Sequence, residues 1–245
     1  MVAFDQLFDS FVINLKRQPE RLQAFRYRNT PSEIHFHHFE AIDGAQCPPV
    51  ANYTPGAVGN AMSHLALWRR CAEQGKSFVV LEDDVVIRHD IKARLPSLVA
   101  QVAGWDIILL GYNFDASLEL NIAPGINFSG DFSARYPTEQ HLARFSRSTV
   151  QIGSQRLVSA FGICGYVISP KGAKNLIDRC FPLDSRTVIL RRAGRSISAY
   201  TLDCMMTTIY RHMLAYACLP PLVMTPNNPK TSTTRRSGAP RPTTR

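Results

Sequence analysis

Three acids stand side by side in "KSFVVLEDDVVIRHD" (76–90): Glu82, Asp83 and Asp84 follow the apolar run Phe78–Leu81 and precede Val85–Ile87. Carboxylates this close repel one another and resist desolvation, so something nearby should neutralise them. Hard oxygen donors suit Mg²⁺ or Mn²⁺, which take one or two protein carboxylates and fill their other positions with water and substrate phosphate. Such an ion would also hold a diphosphate and stabilise charge growing on a leaving phosphate. On an extended backbone Glu82 and Asp84 face one side and Asp83 the other. That makes Asp84 the direct metal ligand, has Glu82 reach the metal or its water, and leaves Asp83 for a ribose hydroxyl. The same acids would equally serve as a solvated turn joining a strand to a helix. No G-x-x-x-x-G-K-[ST] or G-x-G-x-x-G stretch is present, so the phosphate cradles of P-loop and dinucleotide-binding proteins are disfavoured.

Other chemistry-bearing residues are less specific. Arg21, on a helix after the first strand, could contact phosphate, pair with an acid or face solvent. Ser63 and His64 fall on the flank of an amphipathic helix, where His64 could reach a nucleotide or satisfy a backbone carbonyl. Neighbouring helix positions do not face each other, which excludes a Ser-His hydrolase pair. His35 and His37 share a strand face without a third metal ligand.

The elements that must position these residues read as strands alternating with helices. "FVINL" (11–15) is a short buried strand, and "QPERLQAFRYR" a helix with Pro19 in its first turn. "IHFHHFEAI" (34–42) is strand-like and closes on Asp43-Gly44. Val58, Met62, Leu65, Trp68 and Ala72 recur at helical spacing in a segment ended by Gly75. The strand carrying the acids follows, then a helix near 91–101 and the strand "WDIILLG" (105–111). Later come a strand and helix in 161–181, a helix from Asp203 and a strand pair in 214–224. This order predicts an α/β fold with a mostly parallel central sheet flanked by helices. Between residues 112 and 156 the periodicity fails, so a loop-rich insertion, a substrate-binding loop or lid, is expected there. In open α/β sheets ligands bind beyond the carboxyl ends of strands, where the acids lie.

Composition narrows the class. With 245 residues, 45% of them hydrophobic, the chain can bury one sizeable core, a single domain over residues 1–229. The net charge of +9 is uneven: residues 1–184 carry 18 basic and 18 acidic side chains, whereas 185–245 carry ten and one. The Pro/Thr/Arg-rich stretch 230–245 reads as a disordered basic tail. A basic end of this kind meets anionic lipid, a phosphorylated glycan or nucleic acid, or only solubilises. No RRM, zinc-finger or helix-turn-helix signal supports nucleic acid. Six scattered cysteines without a C-x-x-C pair fit buried thiols in a reducing compartment. Asp5 and Asp9 interrupt any signal-peptide core, and no apolar run reaches the ~20 residues of a membrane span. A cytoplasmic protein, peripheral at the inner face of a membrane, is expected.

The order of motifs resembles glycosyltransferase family 25, the lipooligosaccharide and collagen galactosyltransferase family. "VINLKRQPERLQAF" (12–25), "FEAIDG" (39–44), "GAVGNAMSHLALWRRCAEQGKSFVVLEDDVVI" (56–87), and "FGICGYVISPKGAKNLIDR" (161–179) with "LDCMM" (202–206) carry the likeness. The resemblance implies a GT-A-like nucleotide-sugar-binding fold and inverting transfer of a hexose, usually galactose. The donor would be a UDP-sugar and the acceptor a glycan hydroxyl, lipid-linked in the lipooligosaccharide case. It makes Glu82-Asp83-Asp84 the metal and nucleotide motif, places Asn14, Lys16, Arg17 and Arg21 near the nucleotide, with Ser63 and His64 beside it, and matches Asp203 to a late motif aspartate. Asp203 is then the candidate base, although an Asp at a helix start also caps. Asn60 stands where the family commonly has cysteine, and Ile163-Cys164 where it has Thr-Ala. A catalytically silent glycan- or nucleotide-binding relative is the competing expectation.

Overall fold

The computed structural model describes residues 3–228 and Thr234. In chain order its helices are α1 (Phe4–Leu7), α2 (Pro19–Asn29), α3 (Pro55–Gln74), α4 (Ile91–Ala100), α5 (Glu139–Ser146), α6 (Pro170–Cys180) and α7 (Leu202–Thr207). The strands are β1 (Phe8–Asn14), β2 (His37–Glu40), β3 (Ser77–Glu82), β4 (Val86–Ile87), β5 (Ile107–Gly111), β6 (Leu118–Ala123) and β7 (Ile126–Gly130), then β8 (Gly153–Ser159), β9 (Gly165–Ile168), β10 (Thr187–Leu190), β11 (Arg195–Ser198), β12 (Ala215–Leu219) and β13 (Val223–Met224).

Alternation along β3 explains the layering. Phe78 and Val80 join one buried cluster with Trp68 and Cys71 of α3 and Leu176 of α6. Val79 and Leu81 join another with Phe25 of α2 and Ile91, Leu95 and Leu98 of α4. A strand buried on both faces reads as a continuous apolar run, as β3 does, and its helices must cover both sides.

Nine strands form the central sheet in the order β2-β1-β3-β9-β5-β12-β8-β6-β7. β1 pairs in parallel with β2 and β3, and β5 with β12. The strands read from sequence as alternating with helices thus supply the parallel pairs. Antiparallel pairing enters where β9 inserts between β3 and β5, and where β8, β6 and β7 extend the sheet beyond β12. The expected loop-rich insertion at 112–156 is therefore corrected: it supplies β6, β7, α5 and the start of β8. Helical or strand periodicity is weak here because β7 buries none of its residues and β6 carries Glu119 and Asn121 between its apolar residues, with Gly125 (φ 76°) turning the β6–β7 hairpin.

α3 sets the position of the acid turn. Thr54 caps it, its Oγ1 accepting from the Ala57 amide at 3.1 Å, Pro55 occupies the first turn, and Gly75 ends it at φ 68°. The loop at 42–44 lies so close to α3 that a Cβ on Gly59 would sit 2.5 Å from the Ile42 carbonyl oxygen. No helix among the described residues is long and apolar enough to cross a membrane. The tail at 230–245, apart from Thr234, lies outside the described residues.

Candidate functional site

β3 ends at Glu82, and the chain then turns through Asp83 and Asp84 into β4, which pairs with β13. The three carboxylates diverge at that turn. Glu82 meets α3, where the Asn60 side-chain amide donates to its Oε1 at 2.9 Å and His64 Nε2 stands 3.9 Å away. Asp83 meets β1 and α2: Asn14 Nδ2 donates to its Oδ2 at 2.6 Å, and Arg21 Nη2 donates to its Oδ1. Asp84 lies between them, with Arg21 Nη2 3.9 Å from its Oδ2. Its other oxygen, Oδ1, is buried without a hydrogen-bond partner.

These positions correct one expectation. Asp83 does not wait for a ribose hydroxyl, because it is only 9% exposed and both its oxygens are held by Asn14 and Arg21. It fastens the β1–α2 corner to the acid turn. Lys16 and Arg17 point elsewhere, to Glu40 and Asp43.

Electrostatics separates Glu82 from Asp84. Burial pushes Glu82 up, but the His64 ring, the Asn60 amide and the Arg21 charge together outweigh it and hold the carboxyl below its ordinary range. Burial raises Asp84 to about 7, the Glu82 and Asp83 charges adding to the effect while Arg21 and the Thr225 hydroxyl oppose it. Asp83 is also raised, by burial, against the pull of Arg21 and Asn14. Near neutrality one of two adjacent carboxylates thus holds its charge while the other is poised to lose it.

A divalent cation fits this arrangement. Asp84 Oδ1 is a buried oxygen with no donor, Glu82 is a second hard oxygen ligand, and the mutual repulsion is what a positive ion would relieve. Among the described residues no group of three His, Cys, Asp or Glu side chains converges as a ready-made metal cage. That also disposes of His35 and His37 as part of one, their rings only packing edge to face at 5.0 Å.

Ser63 and His64 act from behind the wall of the site, so direct donor contact for this pair is corrected as well. Both are fully buried. Ser63 Oγ accepts from the Ile42 amide at 2.8 Å and donates to the Gly59 carbonyl at 2.7 Å, clamping the 42–44 loop to α3. His64 Nδ1 lies 2.7 Å from the Tyr166 hydroxyl, which also accepts from Trp68 Nε1 at 2.8 Å. Trp68 can only donate, so the buried Tyr166 proton is used only if it goes to His64 Nδ1. That leaves Nε2 on the side of Glu82, buried and without a hydrogen-bond partner. Trp68, Tyr166 and His64 form one buried hydrogen-bonded chain from β9 and α3 that ends 3.9 Å from Glu82.

Asp203 sits in the first turn of α7. Its Oδ2 accepts from the Gly162 amide at 2.8 Å; its Oδ1 accepts from the Cys204 amide at 3.0 Å and from the Thr201 hydroxyl. Of about four acceptor positions on a carboxylate, three are occupied. Asp203 therefore ties the 160–162 turn to α7 and keeps roughly one position for another proton donor.

Sequence reasoning passed over Asn60, Tyr166 and Thr225 as partners of the acids. Asn60 and His64 are four residues apart on α3, a spacing that puts both on one helix face and could have flagged the pair. Tyr166 and Thr225 are distant in sequence from the turn, and no local pattern marks them. The six cysteines are unpaired, five of them buried, as expected for packing thiols.

The fold and site together define an α/β protein with a carboxylate turn at the carboxyl end of β3, a strand parallel to β1 and antiparallel to β9. The comparisons place it further. The model of "Glycosyltransferase family 25 (LPS biosynthesis protein)" matches residues 8–187, and the chain belongs to that family. A probable inactive glycosyltransferase 25 family member 3 from Bos taurus is 29% identical over 134 residues, covering 45% of this chain and 22% of that protein. A glycosyltransferase 25 family member from Aedes aegypti is 25% identical over 194 residues, covering 69% of this chain and 27% of that one. Procollagen galactosyltransferase 2 from Mus musculus is 25% identical over 134 residues, covering 45% and 21%. The matched region thus spans about a quarter of the length of these relatives.

Proposed function

We propose that this chain is an inverting hexosyltransferase of GT-A-like fold that moves a hexose from a UDP-sugar to a hydroxyl of a glycan such as a lipooligosaccharide. UDP-galactose is the favoured donor, a choice that rests on the galactosyltransferase named among its relatives. One observation carries the reading: at the carboxyl end of β3, Asp84 offers a buried, unpartnered oxygen beside a second carboxylate in a family of glycosyltransferases. Asp84, with Glu82, would hold Mn²⁺ or Mg²⁺, which supplies the positive charge that a departing diphosphate requires.

The chain's own residues do the rest. Asn14 and Arg21 fix Asp83 and so hold the turn in place, and Arg21, whose side chain is 25% exposed, adds positive charge at the edge of the diphosphate site. Asn60 orients Glu82 by its hydrogen bond, and His64, held by Tyr166, helps to keep it ionised. In an inverting transfer the acceptor hydroxyl attacks the anomeric carbon from the face opposite the leaving UDP, and its proton needs a base. Asp203 takes that proton at its remaining acceptor position, while its other hydrogen bonds hold it in register with Gly162. A lipid-linked acceptor would bring the enzyme to the inner face of a membrane.

A second reading is favoured by the relatives whose names call them inactive: a silent relative that binds a nucleotide or glycan without transfer. A panel of UDP-galactose, UDP-glucose and UDP-N-acetylglucosamine, with and without Mn²⁺, separates the two. Transfer predicts metal-dependent stabilisation by one donor and UDP release that rises with a glycan acceptor. Stabilisation without any UDP release establishes the silent relative. Replacing Asp203 by Asn should cut turnover and leave donor affinity unchanged, and near-normal turnover removes its role as base.

A further inference from the structure

The arginines far from the acid turn have no part in the reading above, and three of them meet around one cavity. It has a volume of about 290 Å³ and is lined by Arg156, Arg191 and Arg211 with Asn121 and Asn127 over Leu157. Its polar groups are mostly donors. Arg156 is fixed in place: its Nη1 donates to the Met213 and Ala215 carbonyls at 2.6 and 3.0 Å, and its guanidinium lies over the Tyr216 ring at 5.3 Å. Those bonds leave Nε and Nη2 uncommitted. Asn121 Nδ2 donates to Asn127 Oδ1 at 2.9 Å, which occupies that oxygen and leaves the Asn127 amide as a donor. Arg191 Nε stands 3.9 Å from Glu119, a single acid against three guanidinium groups. Arg211 is exposed and makes no ion pair with the described residues.

We propose that this cavity binds an anionic group, a phosphate monoester or carboxylate, carried by the glycan acceptor. The inference rests on the transferase reading and specifies its acceptor. Excess like charge around a concave, donor-lined space calls for a counter-charge, and guanidinium groups match oxyanions through paired hydrogen bonds. The cavity also belongs to the unit that carries the nominated base. β8 supplies Arg156 and, at its end, Ser159, whose hydroxyl bonds Thr207 of α7 at 2.9 Å; the chain then reaches Gly162, which donates to Asp203. β8 is four strand steps from β3 in the sheet. At ~4.8 Å per step that separates the cavity from the acid turn by roughly 20 Å, so one acceptor meeting both must be an oligosaccharide.

The test is an NMR titration of the full chain with inorganic phosphate, glucose 6-phosphate and glucose, following the backbone amides of residues 156–158, 191 and 211. The expected result is saturable shifts at those residues with both phosphates and none with glucose. Arg211→Glu should weaken sugar-phosphate binding at least tenfold while UDP-galactose with Mn²⁺ stabilises variant and wild type equally. Shifts elsewhere only, or unchanged binding by Arg211→Glu, overturn the proposal. So does binding to phosphatidylglycerol vesicles without binding to soluble glucose 6-phosphate, which would assign the arginines to a membrane surface. Failure of the wild type to bind any UDP-sugar, with sugar-phosphate binding intact, counts against the transferase reading and supports the cavity's anion preference.

Discussion

The two ends of the central sheet solve opposite problems of charge by different means. Around β1 and β3 three carboxylates are pressed into a half-buried turn, and each is answered by named partners: Asn60 and His64 for Glu82, Asn14 and Arg21 for Asp83, Arg21 again for Asp84. Asp84 Oδ1 is left buried without a hydrogen-bond partner. Around β6 and β8 the arginines stand largely exposed around an open cavity, with Ile126 and Phe128 of β7 at the sheet's edge and one acid between them. Partial burial makes the first region sensitive to every substitution, because an unmatched charge there cannot fall back on water. Exposure makes the second tolerant, because solvent screens what the protein leaves unpaired.

Substitutions at the first end should therefore have the larger consequences. Asp84→Ala should lower metal-dependent transfer by roughly a hundredfold or more, the range for removing a group that stabilises transition-state charge; steady-state UDP release measures it. Arg21→Met should destabilise the fold by about 2 kcal/mol, short of the 3–5 kcal/mol of a fully buried pair because part of the arginine stays in water; urea unfolding reads this directly. Tyr166→Phe strands Trp68 Nε1 and His64 Nδ1 and should cost about 1–3 kcal/mol. It should also release the His64 tautomer, visible in the ring's nitrogen shifts. At the other end Arg211→Gln should change unfolding free energy by less than about 0.5 kcal/mol. A large loss there would break the contrast.

The pH response sharpens the same contrast. Asp84 is raised to about 7 in the folded state. A carboxyl whose folded value lies above its unfolded one favours the protonated fold, so its contribution is greatest in acid and is lost as pH rises towards about 7. Glu82 shifts the other way, but a lowered carboxyl has made its full contribution once pH exceeds the ordinary carboxylate range. From the ordinary carboxylate range up to about pH 7 the metal-free melting temperature should fall as pH rises, with Asp84 and the likewise raised Asp83 contributing, and Asp84→Asn should lessen that fall. A slope of the same size in the variant would locate its cause elsewhere.

How much of this was legible in the sequence follows from how far apart the partners lie. The acid turn, α3 with its Gly75 stop, and the β1–α2 corner are encoded by residues close in sequence, and periodicity and end signals found them; the Thr54 cap came only with the structure. The pairing of Asp83 with Asn14 and Arg21 was not legible, because it spans 69 and 62 residues and depends on β1 lying beside β3. The strict alternation expected for residues 82–84 failed where β3 stops at Glu82 and the chain turns. The strands at 118–159 were missed because β7 buries none of its residues and β6 and β8 carry Glu119, Asn121, Gln155 and Arg156 among their apolar ones. The arginine cavity draws on four separated stretches of chain and has no sequence signature at all.

The most direct test of the central claim is a thermal-shift titration of UDP-galactose against the wild type and Asp84→Ala, each with Mn²⁺ and with chelator. The account predicts stabilisation of the wild type only when both ligands are present, growing with nucleotide concentration as linkage requires, and none in the variant. Equal stabilisation in all four conditions would mean that the acid turn does not join a cation to the donor.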